Sequence, residues 1–195
     1  MNRSATLKRS ALVIRFIAIS AAVSLLSPSL TAASITNNEI ATYSAQYSAN
    51  YNGLAIKAHH QLRQLEDGSY IEILNAKSIL GKIKESAKFI IDDHQKILPY
   101  QYNYKRSLVG ISRVESQVFD WPKKQLRYAK NDKIQVVNLE PGALDIVTHK
   151  LQLRHDLQEG KTILSYPVMA RDKRKQYDYE VVALEVLTTE IGLLN

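Results

Sequence analysis

The chain contains no cysteine. Disulfides, thiolate nucleophiles and thiolate metal sites are therefore excluded, as is lipid attachment to a cysteine behind a leader. Glycine and proline are sparse, at seven and five in 195 residues, and no glycine falls in a GxGxxG or Walker spacing. A phosphate-cradling loop of those kinds is thus absent. No GxSxG occurs, and no serine is placed beside a histidine and an acid. His59 and His60 point to opposite faces of one predicted strand, and His149 and His155 are six residues apart on a predicted helix. Asp145 and His149, four apart, offer two ligands, which is too few for a metal site. The carboxylate pairs Glu66-Asp67 and Asp92-Asp93 fall in predicted turns, where Asp caps backbone N–H groups. Glu185 with Asp145 is the other conceivable pair, but nothing in the sequence brings the two together. No catalytic residue, metal or cofactor is expected.

No apolar run is long enough to cross a bilayer comfortably. The longest, residues 16–26 (FIAISAAVSLL), follows Arg3, Lys8, Arg9 and Arg15 and precedes Pro28 and the small residues Thr31-Ala32-Ala33. Basic start, short apolar core and small-residue exit are the pattern of a secretory leader, so residues 1–33 are expected to be removed. The alternative is an uncleaved N-terminal anchor. Without those residues' four Lys/Arg, 22 basic and 19 acidic residues remain, a net charge of +3 instead of +7. That is an ordinary surface and not a nucleic-acid footprint. The expected compartment is the periplasm, and residues 34–195 are expected to form one domain.

What the chain has in quantity is period-two alternation. In residues 40–51 (IATYSAQYSANY), Tyr43, Ala45, Tyr47, Ala49 and Tyr51 share one face and polar residues the other, and Asn52-Gly53 then signals a hairpin. Further strands are predicted over 54–65, 70–79, 83–91, 97–108, 113–121, 125–129, 133–139, 162–169 and 176–187. Turn signals recur about every ten residues, the spacing of an antiparallel meander.

Residues 140–160 (EPGALDIVTHKLQLRHDLQEG) are the exception. Pro141 and Gly142 open the stretch and Gly160 closes it, so one long helix over about 142–159 is predicted. Its apolar residues fall in two stripes, Leu144/Val147/Leu151 and Ile146/Leu153/Leu157. Asp145, Thr148, His149, Gln152, Asp156 and Glu159 lie on the remaining arc, and Lys150 and Arg154 lie between the stripes. Two stripes imply a helix embraced by a curved surface. The expected fold is mainly β (α+β), a curved antiparallel meander sheet or open barrel wrapped around that helix. An arginine between the stripes needs a partner. Glu185, alone among Tyr177, Tyr179, Val181, Ala183 and Leu187 on one strand face, is the candidate; the alternative is that both charges reach solvent. Tyr43, Tyr47, Tyr51, Tyr177 and Tyr179 either fill the core or line a pocket.

The ordered set of a tyrosine-rich first strand, Trp121, Leu144-Asp145, Leu153-Arg154, Gly160, Tyr177, Glu185, Thr188 and Gly192 resembles the DUF3108 family of exported bacterial proteins, to which no activity is assigned. Arg154 and Glu185 are among the matching positions. Family members continue with further strands where this chain stops at Asn195, so the resemblance implies a shortened C-terminus with 176–187 at an open sheet edge. The expected function is that of an exported, soluble, non-catalytic module binding an amphipathic or polymeric envelope component, a lipid or a glycan. The second expectation is an assembly factor that pairs with an envelope protein through that edge strand.

Overall fold

The computed structural model describes residues 40–189 and 192–194, the side chains of the last few residues excepted. The expected leader, residues 1–33, lies outside the described residues. Eight strands run in sequence order as one antiparallel meander that does not close: β1 (Tyr43–Tyr51), β2 (Leu54–Gln64), β3 (Tyr70–Ser78), β4 (Gly81–Ile91), β5 (Ile97–Leu108), β6 (Ile111–Asp120), β7 (Gln125–Lys130) and β8 (Lys133–Asn138). The helix α1 (Thr148–Gln158) follows, then a separate hairpin of β9 (Ile163–Ala170) and β10 (Lys173–Glu180), and a short pair, β11 (Leu187–Thr189) and β12 (Gly192–Leu194).

Register decides what is buried. Leu62, Tyr70, Phe89, Ile97, Phe119 and Leu126 are inward residues of six successive strands, and all are buried. With Leu144, Leu151, Leu164, Tyr166 and Val168 they make most of the core. Tyr70 stacks on Phe89 at 5.6 Å between ring centroids. One face of the sheet thus buries against α1 and β9. A side chain such as Phe89, with no exposed surface, contributes about 2–3 kcal/mol by leaving water. Gln117, also inward, donates from one amide nitrogen to the carbonyls of Met169 (2.9 Å) and Arg171 (2.8 Å) and so ties the β9–β10 hairpin to β6.

Two expectations are corrected. The helix has 11 residues and is not the long element predicted over 142–159. Gly142 has a positive φ of 73°, and the backbone of Leu144 is used by β9: its N–H donates to Pro167 O (2.9 Å) and its carbonyl accepts from Met169 N (2.8 Å). Neither residue is free to be helical. The helical ladder begins at Asp145, whose carbonyl accepts from His149 N (3.1 Å). The Asp145 carboxylate accepts from the N–H groups of Val147 (2.7 Å) and Thr148 (2.8 Å), while Thr148 Oγ1 accepts from Asp145 N (2.9 Å). This reciprocal pair caps the helix.

The helix is also rolled relative to expectation. Leu144, Val147 and Leu151 are buried as predicted, but of the second stripe Ile146 and Leu153 are half-buried and Leu157 is exposed. The buried flank is the polar one, Thr148, His149, Gln152 and Asp156, whereas Lys150 and Arg154 face solvent. Each buried polar group has partners. Gln152 Oε1 accepts from Ile97 N (2.8 Å), and Asp156 accepts from Tyr166 OH (2.7 Å) and Lys161 Nζ (2.5 Å). His149 stacks on Tyr177 at 5.2 Å.

Candidate functional site

Among the described residues β1 is one edge of the sheet, and its inward face looks across a gap at α1. The gap is a groove of about 750 Å³. Ile40, Tyr43, Ala45 and Tyr47 line it from the first strand and its lead-in, His60 from β2, and Leu151, Arg154 and His155 from the helix. The alternation read in residues 40–51 explains one wall: every second residue points inward, and the alanine between the tyrosines leaves room. Helical spacing explains the other, since Leu151, Arg154 and His155 lie within about one turn.

The floor is polar and tightly connected. Tyr43 OH donates to Glu72 Oε1 (3.1 Å), and His60 Nε2 contacts the same oxygen and lies 3.1 Å from Tyr43 OH. The two rings meet edge to face, 5.1 Å apart. Glu72 is buried, and its second oxygen, Oε2, has no hydrogen-bond partner among the described residues. Burial, reinforced by the Glu72 charge, pushes the Tyr43 hydroxyl well above the usual phenol range, so it remains a donor. Over this floor the Arg154 guanidinium lies 5.5 Å from the Tyr43 ring centroid, a cation–π geometry. Arg154 is exposed and makes no ion pair among the described residues.

Of the residues singled out from sequence, the groove brings together Tyr43, Tyr47 and Arg154. It does not include the others. Glu185 is exposed in 181–186, which is not strand, and no ion pair joins it to Arg154. The strand predicted over 176–187 stops at Glu180 because its partner begins at Ile163, with Val181 N to Thr162 O (2.9 Å) as the last rung. Tyr177 and Tyr179 are packed against His149 and the core, and Tyr51 is exposed at the β1–β2 tip.

A second cleft, about 810 Å³, lies further across the same face of the sheet and was not anticipated. Glu85, Tyr104 and Glu115 are directly opposite one another on β4, β5 and β6 and line it, with Arg106 and Arg113 one inward row nearer the β5–β6 turn. Glu115 is buried and paired with Arg113 and, at 3.5 Å, with Arg171. Glu85 accepts from Tyr102 OH (2.7 Å). Its carboxylates are thus already partnered. The signal was available: Arg113, Glu115, Gln117 and Phe119 are every second residue of one strand. Among the described residues no three ligating side chains converge on a metal position, and no helix is long and apolar enough to cross a membrane.

A family model described as "Protein of unknown function (DUF3108)" matches residues 46–194. No curated protein and no solved structure matches the chain.

Proposed function

The chain belongs to the DUF3108 family, and from that premise we propose that it is a non-catalytic binding protein for an amphipathic anion, with the groove between β1 and α1 as its site. The observation that carries this reading is the pairing, in one groove of mixed lining, of an apolar wall with an exposed cation that makes no ion pair among the described residues. Tyr43, Ala45, Tyr47 and Leu151 offer the wall for an acyl or other apolar part, and Arg154 stands at the rim for a phosphate or carboxylate. A concave site that combines apolar walls with a few placed polar groups and one oriented charge is a usual form of a ligand site. The leader read in residues 1–33 supports a periplasmic setting for this binding, where envelope lipids and their precursors are of this chemistry.

The test is calorimetric titration with dodecyl phosphate below its micelle concentration. One molecule is expected to bind per chain. Arg154→Gln is expected to weaken binding about tenfold, the scale of one charge-assisted hydrogen bond, and Glu185→Gln to leave it unchanged. Binding that is indifferent to Arg154, or absent, would count against the groove.

A second reading, assembly with an envelope protein through an edge strand, draws on a different observation. Val182, Leu184 and Val186 are strongly exposed in 181–186, a stretch without strand partners. An added strand would cover them. A stable heteromeric complex lost on changing Val182 and Leu184 to serine would favour this reading over the groove.

A further inference from the structure

The β3–β4 and β5–β6 turns lie side by side at one end of the sheet. Val109 N donates to Leu80 O (3.0 Å), and Gly81 is directly opposite Leu108. Together they expose a knuckle of large apolar side chains: Ile79 is 89% exposed, Val109 74% and Ile111 72%, with Leu80 and Leu108 beside them. Loop tips are ordinarily polar, and the neighbouring β1–β2 turn uses Asn52-Gly53.

Val109 is also in an unfavourable conformation. Its φ is +45°, with Gly110 following at +80°, in the same two positions that Asn52 (49°) and Gly53 (79°) occupy in the β1–β2 turn. A β-branched residue at positive φ is strained, and asparagine is far better suited. An apolar side chain is therefore present at the tip against local backbone preference.

Immediately behind the tips the outward face of the sheet is basic. On the outward face Lys57, Lys77 and Lys82 stand directly opposite one another in one row, and Lys84 faces Lys105 in the next outward row; the two rows contain no carboxylate. On the inward face, in the row between, Arg106 faces Arg113, whose charge Glu115 already answers. Like charges directly opposite on adjacent strands are destabilising. All five lysines are exposed and make no ion pair among the described residues. At about 3.3 Å per residue, the first lysine row lies roughly 7 Å behind the turn residues Ile79 and Val109. That is the depth separating a bilayer's headgroups from the top of its acyl region.

We propose that this end of the sheet is a docking surface for a bilayer bearing anionic headgroups: Ile79, Val109 and Ile111 enter the interface and the lysine rows neutralise the headgroups. Two local rules are broken at the same place, turn chemistry and charge pairing, and a single partner with an apolar interior and an anionic surface offsets both. A soluble polyanion would satisfy the lysines alone. This surface is independent of the β1–α1 groove.

The absence of cysteine gives a direct test. A Val109→Cys chain carrying an environment-sensitive fluorophore is mixed with phosphatidylglycerol vesicles, with phosphatidylcholine vesicles and with polyphosphate, and Asp93→Cys, in the exposed β4–β5 turn at the other end, is the control. A blue shift at position 109 alone, with phosphatidylglycerol alone, is the expected result. No shift at 109, an equal shift at 93, or an equal shift with phosphatidylcholine or polyphosphate would overturn the proposal. Because a leader or anchor would act on all variants alike, the site of the shift remains informative whichever form of the chain is used. Unlabelled Val109→Asn gives a second measure that misfolding cannot mimic. It is expected to fold more stably than the wild type, to bind phosphatidylglycerol vesicles about tenfold less tightly, and to bind dodecyl phosphate unchanged. Equal vesicle affinity would refute the role of the tip.

Discussion

Replacing Asp145 with asparagine should make the protein more stable at neutral pH, and by an amount that depends on pH. Asp145 has no exposed surface, and its Oδ2 has no hydrogen-bond partner among the described residues. Burial raises its carboxyl from 3.8 to about 6, the Glu72 charge adds to the effect, and the hydrogen bonds from Thr148 and Val147 only partly oppose it. The folded state therefore holds this proton more tightly than the unfolded chain. Its stabilisation is complete below about pH 3.8 and is lost as pH rises through about 6. A shift of roughly two units corresponds to about 3 kcal/mol. Asparagine keeps the oxygen that caps Val147 and Thr148 and carries no charge to desolvate. Urea unfolding followed through the single Trp121 at intervals from pH 3.5 to 8 is the assay. The stability of Asp145→Asn minus that of wild type should increase by up to about 3 kcal/mol between pH 4 and 7 and then level off. A difference that is flat across this range, or that falls with rising pH, would refute the assignment of a buried, proton-retaining carboxyl at the start of α1.

Two further outcomes probe how the sheet is held. A Cβ at Gly81 would lie 2.1 Å from the backbone oxygen of Ser107, so Gly81→Ala should cost about 1–3 kcal/mol and displace the paired tips, measured by urea unfolding and by the fluorophore shift at position 109. Gln117→Leu removes both bonds to the β9–β10 hairpin and leaves two carbonyls unanswered. It should cost about 2–4 kcal/mol and raise amide exchange in β9 above that in β2 and β3; uniform exchange would argue that the hairpin is held some other way.

Period-two alternation carried most of the fold. The eight meander strands match their predicted spans to within a few residues, because in most of them one face is more buried than the other, the condition under which alternation is visible, while β8, exposed on both faces, is bounded by its turn signals. The helix was harder for the opposite reason. Its buried flank is polar: His149, Gln152 and Asp156 are made tolerable by partners outside the helix, the Tyr177 ring, Ile97 N and Tyr166 OH, and Thr148 by Asp145 at the helix start. Apolar stripes cannot report a face satisfied in that way, so Lys150 and Arg154 were expected to be buried when they are exposed. The start of the helix was misplaced because Leu144 spends its backbone on β9, a contact across 24 residues that no local pattern encodes. Tyr43 and Tyr47 were read from spacing as one strand face and do line one groove, but Arg154, which lies across it, was expected beside Glu185. Glu185 was placed by extending an alternation past the point where β9 supplies a partner strand.

The measurement that bears most directly on the binding claim is native mass spectrometry of the protein purified without detergent from the cells that produce it. Wild type should carry an adduct of a few hundred daltons or more that fragments to an anionic amphiphile, and Arg154→Gln should carry markedly less of it. A wild-type chain of bare polypeptide mass, or an adduct retained equally by Arg154→Gln and by a Tyr47→Trp chain whose groove is filled, would contradict it.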